Sequence, residues 1–203
     1  MPCTIPETRI AETIAFHGHF CPGLAIGIRA AELALRELDN PPAPEMVAVT
    51  ETDMCGVDAI QFLTGCTYGK GNLIHRDLGK MAFSFYDRRT GKGIRLVFRP
   101  EARGAIHDEY GPLSEKLADG TATEADKARI ETLRDTLKNH LLAIELDEMF
   151  TVRAADRPAP SRAHILQSLT CETCGESVME SRTRRLGGKT LCIPCFEAVE
   201  QKV

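Results

Sequence analysis

No apolar run in this 203-residue chain approaches the roughly 18 residues that a bilayer-spanning helix needs. The opening stretch, Met1-Pro2-Cys3-Thr4-Ile5-Pro6-Glu7, lacks the basic flank and apolar stretch of a secretory signal, so the sequence reads as cytoplasmic, with no membrane partner. Internal repeats and low-complexity tracts are missing as well. So is a strong charge of either sign: 25 Lys and Arg stand against 29 Asp and Glu, a net charge of −4, which argues against a general polyanion binder. Arg182, Arg184 and Arg185 form one small basic patch, which reads as a solvated face, and nucleic acid is not an expected partner. What the chain does have is eight cysteines. In a reducing compartment they read as metal ligands or reactive thiols before disulfides.

Four of these cysteines carry the most specific signal. Cys171-Glu172-Thr173-Cys174 and Cys192-Ile193-Pro194-Cys195 are two CxxC knuckles separated by 17 residues, a spacing that closes a tetrahedral, four-thiolate zinc site. Such a site has no open position and is structural. The module around it is too small for much core, so zinc supplies its folding free energy, on the order of 10 kcal/mol.

The second feature is Phe16-His17-Gly18-His19-Phe20-Cys21-Pro22-Gly23. A residue before proline is pushed toward extended geometry, so His17, His19 and Cys21 are expected on one side of a short extended run. Pro22 suits a first helical position, and Leu24, Ile28, Ala31, Leu35 and Leu38 recur at helical spacing, which predicts a helix from about 22 to 38. Cys21 then sits at a helix N-terminus, where the dipole and free amides favour a thiolate. Any one of these donors alone would read as an ordinary buried residue; three within one short segment read as a metal or catalytic site.

Between these features the pattern alternates. Asn40-Pro41-Pro42-Ala43-Pro44 ends the helix, and 46–51 reads as a strand. Residues 57–65 read as a short helix closed by Gly65, with Cys55 before it and Cys66 after it. Residues 81–86 and 94–98 flank Arg89-Thr90-Gly91-Lys92-Gly93 as a hairpin. At least three strands, mostly antiparallel, are expected. Residues 124–148 read as one long amphipathic helix with a stripe of Ile130, Leu133, Leu137, Leu141 and Ile144, opened by a capping box at Thr123 and Asp126. The stripe suits core packing or a homodimer interface. A last strand at 149–154 precedes a proline-containing polar linker. The predicted organisation is an α+β domain over 1–154 with an antiparallel sheet packed with helices, a linker over 155–168, and a small zinc-ribbon or treble-clef-like domain over 169–203.

Further chemistry is expected from Thr52-Asp53-Met54-Cys55-Gly56-Val57-Asp58, where Cys55 is a distant fourth ligand and Asp53 and Asp58 can orient ligands or act as a base. Gly65-Cys66-Thr67-Tyr68-Gly69-Lys70-Gly71-Asn72 has the glycines and lysine of an anion-binding loop without the full Walker A pattern. Cys21, Asp53 and Lys70 are the catalytic candidates. His17, His19, Cys21 and Cys55 are the candidate ligands of a second transition metal, read as zinc. His75, His107 and His140 read as surface histidines.

Taken in order, the His17–Gly23, Asp53–Asp58 and Gly65–Asn72 segments resemble the signature of the FmdE family, named for one component of formylmethanofuran dehydrogenase. The likeness spans roughly residues 10–150, and the C-terminal CxxC pair resembles the zinc finger of its longer members. The resemblance implies an α+β core, an intertwined homodimer and a metal site at the histidine–cysteine motif. It also implies a link to molybdenum or tungsten enzyme subunits. The redox step of that dehydrogenase lies on a pterin metal in another polypeptide, and this chain lacks the cysteine motifs of iron–sulfur relays. The expected function is a metal-dependent enzyme or accessory subunit linked to molybdenum- or tungsten-pterin one-carbon redox metabolism. The alternatives are a non-catalytic metal- or cofactor-handling protein and a zinc-finger regulatory protein.

Overall fold

Gly18 ends the first helix and so aims the chain at the second. Helix α1, Glu7–His17, stops where Gly18 turns left-handed at φ 93°, a region that a residue with a Cβ enters only at a cost. The computed structural model describes residues 2–200, which divide into two compact units between Arg162 and Ala163. In the first unit α1 buries Thr13 and packs Ile10 and Ile14 beside Leu24 and Ile28. His17 is therefore the last residue of a helix. The extended run expected for His17, His19 and Cys21 is corrected accordingly: His17 is helical, His19 lies in a bend, and Cys21 is extended, at φ −135° and ψ 166°.

Helix α2, Pro22–Glu37, begins where Pro22 predicts, and every residue from Leu24 to Ala34 is buried. One side of it, with Ala30, Leu33 and Ala34, belongs to the main core. The other, with Leu24 and Ile28, meets the side chains of α1. Strand β1, Met46–Thr50, leads to helix α3, Gly56–Thr64, and to strand β2, Leu73–His75, which pairs parallel with β1. Strands β3, Ala82–Asp87, and β4, Gly93–Phe98, form the expected hairpin, with Phe85 opposite Ile94. Strand β5, Phe150–Ala154, completes a five-stranded sheet in the order β2-β1-β3-β4-β5, antiparallel except at β2. β1 and β3 are buried throughout, which explains their unbroken apolar runs.

Two helices follow the hairpin. α4, Ile106–Ala118, has no counterpart in the sequence reading because Gly111 and Pro112 lie inside it, a pair that normally marks a break. α5, Glu124–Ala143, opens with the capping box that Thr123 and Asp126 predict. Its stripe of Ile130, Leu133, Leu137 and Leu141 is buried within the chain itself. The single helix expected over 124–148 is two: Ile144 turns extended at ψ 163°, and the four-residue α6, Leu146–Met149, follows. Arg29 explains the break, because its buried guanidinium takes the Ile144 carbonyl at 2.6 Å and Glu32 at 2.8 Å. Glu32 in turn accepts from the amide and hydroxyl of Thr4 at 2.6 Å, so each end of this buried pair also bonds a backbone or hydroxyl group.

Residues after β5 stay with this unit. Ala155 and Ala159 pack on the Val47, Val49 and Tyr86 side chains of the sheet, and Arg88 holds the carbonyls of Pro160 and Ser161.

The second unit pairs β6, Ser168–Thr170, with β7, Ser177–Met179, and β8, Thr183–Leu186, with β9, Lys189–Cys192, before a short helix α7, Ile193–Glu197. The first CxxC lies in the turn between β6 and β7, and the second runs from the end of β9 into α7. Knuckle, hairpin and helix in that order form a treble-clef-like zinc module.

Candidate metal centre and its cleft

The central site forms where the starts of α2 and α3 meet the end of α1. Cys21 is the cap of α2, and its Sγ accepts the Leu24 amide at 3.4 Å. Cys55 immediately precedes α3. The two helix starts can approach because Gly23, Gly27 and Gly56 line the crossing: a Cβ on Gly56 would stand 2.9 Å from the Gly23 carbonyl oxygen. His17 and His19 stack with ring centroids 4.5 Å apart. One donor atom from each of His17, His19, Cys21 and Cys55 falls within 4.8 Å of the others. The four candidate ligands, 38 positions apart at the extremes, thus converge.

The donors are not equivalent. His17 Nδ1 lies 2.7 Å from Asp58 Oδ2. An ionised carboxylate only accepts, so Nδ1 carries a proton, and in the neutral ring Nε2 keeps its lone pair. That Nε2 is buried and has no hydrogen-bond partner. A buried ring nitrogen with a free lone pair, beside two thiols and a second imidazole, is what a tetrahedral thiophilic metal requires, and the carboxylate behind it is the usual partner of a ligating histidine. The residues present therefore fit the metal. Burial, and then the adjoining Cys21 thiol, push the Cys55 thiol upward. His19 is exposed and, among the described residues, makes no hydrogen bond.

Cys21, Cys55 and His19 line a cleft of about 600 Å³. Met54 and Met81 share its wall, and Arg103, His107, Tyr110, Arg134 and Lys138 line it too. Its volume is in the range of small-molecule sites. Among the catalytic candidates only Cys21 is there. Asp53 is exposed in the loop before α3, and Lys70, also exposed, donates to the Gly65 carbonyl at 2.6 Å; neither lines the cleft. Cys66 is fully buried and donates to the Met46 carbonyl at 3.4 Å, away from the cluster. Sequence reasoning offered Asp53 and Asp58 as orienting groups or a base without saying which ligand either would hold; Asp58 pairs with His17, 41 positions away. It missed the wall formed by Arg103 and His107, which belongs to the unforeseen α4 region.

In the second unit Cys171, Cys174, Cys192 and Cys195 likewise bring their sulfurs within 4.8 Å of one another. Backbone amides of Cys174, Cys192 and Thr173 pull the Cys171 thiol down to about 6, and the Cys192 amide lies 3.3 Å from its sulfur. Cys195, crowded first by the Cys192 thiol and by burial, is pushed up to about 12. Four thiols this close, with backbone amides aimed at one of them, suit a tetrahedral four-thiolate metal site.

Residues 165–201 match the family of prokaryotic dksA/traR C4-type zinc fingers. Over 188 residues the chain is 31% identical to a protein of Archaeoglobus fulgidus named "Probable S-adenosyl-L-methionine-binding protein"; the match covers 89% of this chain and 50% of that protein, so the chain spans about half its relative's length. It also resembles the crystal structure of a tungsten formylmethanofuran dehydrogenase FmdE-like protein from Syntrophus aciditrophicus, with a TM-score of 0.64, 26% identity and 98% of each chain covered. Residues 16–151, which contain all four central donors and the cleft, match the family described as FmdE, of the molybdenum formylmethanofuran dehydrogenase operon, and the chain belongs to that family.

Proposed function

We propose that this protein holds a zinc-like transition metal on His17, His19, Cys21 and Cys55, and acts from the wall of the cleft as a metal-dependent enzyme or accessory subunit. The setting proposed is molybdenum- or tungsten-pterin one-carbon redox metabolism. The observation that carries the metal is the buried, unpartnered Nε2 of His17, which points to a ligand because burying such a nitrogen without a bond costs free energy. When bound, the metal supplies Lewis-acid polarisation of a ligand's donor atom. The protein's own part is positional. Asp58 fixes the His17 tautomer, and the Leu24 amide steadies the Cys21 sulfur. His19, exposed and without such a brace, is the donor that can give way to an incoming ligand. What supports the metabolic setting is the operon for which the family is named and the tungsten dehydrogenase to which the Syntrophus protein is likened.

Elemental analysis of the full chain tests the metal. The expected result is two ions per chain, with Cys55→Ser removing one and leaving the C-terminal ion. Retention of both ions by Cys21→Ser/Cys55→Ser rules the central site out. The accessory role is tested by co-purification from a host that contains a pterin dehydrogenase; a chain that never accompanies its subunits argues against it.

The name of the Archaeoglobus relative supports a second reading, that the cleft takes S-adenosylmethionine. Its volume of about 600 Å³ and its mixture of cations with Glu131 and Asp135 suit a zwitterion of that size. Equilibrium dialysis with the labelled compound decides: no retention at millimolar concentration excludes it. A homodimer is also proposed, on the family resemblance; because the α5 stripe is buried inside the chain, another surface would form its interface. Sedimentation across the micromolar range should report twice the chain mass, and a monomer throughout refutes it.

A further inference from the structure

Three cationic side chains line the cleft, and they differ in what they already hold. Lys138 pairs with Asp135 at 2.5 Å and stands over the Phe20 ring. Arg134 pairs with Glu131 at 2.7 Å and donates to the Tyr110 hydroxyl at 3.2 Å. Arg103 is different. It ends the 3-10 turn Pro100–Arg103 and is partly buried, with its guanidinium 5.0 Å from the centre of the Phe98 ring. No carboxylate among the described residues pairs with it, and burial pushes its pKa down with no opposing charge to hold it up. A guanidinium carries five donors in a fixed fork that matches planar oxyanions. With no carboxylate partner among the described residues, that fork remains available to a ligand entering the cleft.

We propose that the cleft binds a small organic carboxylate, whose carboxyl group is held by the Arg103 fork while a donor at its other end reaches the His19 side of the metal site. This rests on the metal reading above and adds the class of ligand. The carboxylate is preferred to a phosphate because the wall already carries Glu131 and Asp135. Arg134 and Lys138 are already paired with those two acids, so the wall has a surplus of one positive charge, on Arg103, which balances a monoanion better than a dianion. Arg103 is here a binding residue, and His19 is the ligand whose place the donor shares.

The test uses the full chain loaded with cobalt(II), and two thiol probes with the same metal-binding atom: 3-mercaptopropionate, which has a carboxylate, and neutral 2-mercaptoethanol. Subtracting the spectrum of Cys21→Ser/Cys55→Ser isolates the central ion. The carboxylate probe is expected to perturb that spectrum with an affinity about tenfold or more above the neutral one, the worth of a charge-assisted bond pair. Arg103→Met should abolish the preference while leaving the cobalt content and the affinity for 2-mercaptoethanol unchanged. Arg103→Lys, which keeps the charge without the fork, should retain only part of it and serves if the methionine variant fails to fold. A preference that survives in both variants overturns the proposal, as does equal affinity for the two probes in the natural protein. Competition by inorganic phosphate stronger than by acetate overturns the carboxylate class. Cobalt bound at the centre with no response to either thiol defeats this inference alone, whereas absence of central cobalt defeats the metal reading and the inference with it.

Discussion

Gly27 and Gly56 cross so closely that a Cβ on Gly27 would stand 2.1 Å from the Gly56 carbonyl oxygen. The contact is backbone on backbone, so no side chain can rotate away to relieve it. Through it the start of α3 is set against the first turns of α2, and Cys55 is brought beside Cys21. The glycine crossing is thus as much a part of the centre as the ligands are.

Gly27→Ala should therefore destabilise the fold by about 1–3 kcal/mol, the cost of overpacking, even though alanine is the better helix former. The central ion should be depleted while the C-terminal ion is kept. Thermal melts paired with metal analysis check this; an unchanged melt with full metal content sinks the argument.

Asp58→Asn keeps the shape of the group behind His17 but removes the charge that fixes its tautomer. Loss of such a carboxylate partner typically weakens metal binding about 10- to 100-fold. Chelator competition at neutral pH reads the change. Equal affinity in the two proteins would mean that His17 does not ligate through Nε2.

Arg95 donates to both oxygens of Glu51, at 2.7 and 2.6 Å, between side chains that are 14% and 9% exposed. The pair holds the Glu51 carboxyl below its ordinary range. A depressed carboxylate contributes stability that is complete above its unfolded pKa, near 4.3, and is lost as pH falls through the folded value. Denaturant melts should show Glu51→Gln less stable by about 2 kcal/mol at pH 7, with the gap narrowing steadily below about pH 4.3. A gap that stays constant down to pH 2 would contradict the linkage.

Ending the chain at Arg162 should remove one metal ion per chain and leave the first unit folded, since its strap through Ala159 and the Arg88 contacts to Pro160 and Ser161 are retained. Ending it at Ala154 instead should lower the melting temperature, because Val47, Val49 and Tyr86 lose their cover. Identical melts for the two truncations would show that the strap contributes nothing.

Local chemistry alone made part of this protein legible. Pro22 and the spacing after it placed α2, Thr123 and Asp126 opened α5, and the glycine-containing hairpin between β3 and β4 was legible from its turn. The two CxxC pairs at their spacing announced the zinc module, because four thiolates can close on one ion whatever surrounds them. Donor types alone named the central ligands. Tertiary structure decided the rest. Helix α1 was hidden because its apolar side is short and its end is made by Gly18, and α4 because Gly111 and Pro112 lie within it. Only the fold shows that α5 stops at Ile144, since the buried Arg29 that takes that carbonyl comes from 115 residues earlier. The convergence of Cys21 with Cys55, the brace of Asp58 on His17 and the idle fork of Arg103 in the cleft all join residues far apart in sequence. No periodicity encodes such meetings, because they depend on how closely two backbones can pass, and Gly27 and Gly56 set that distance.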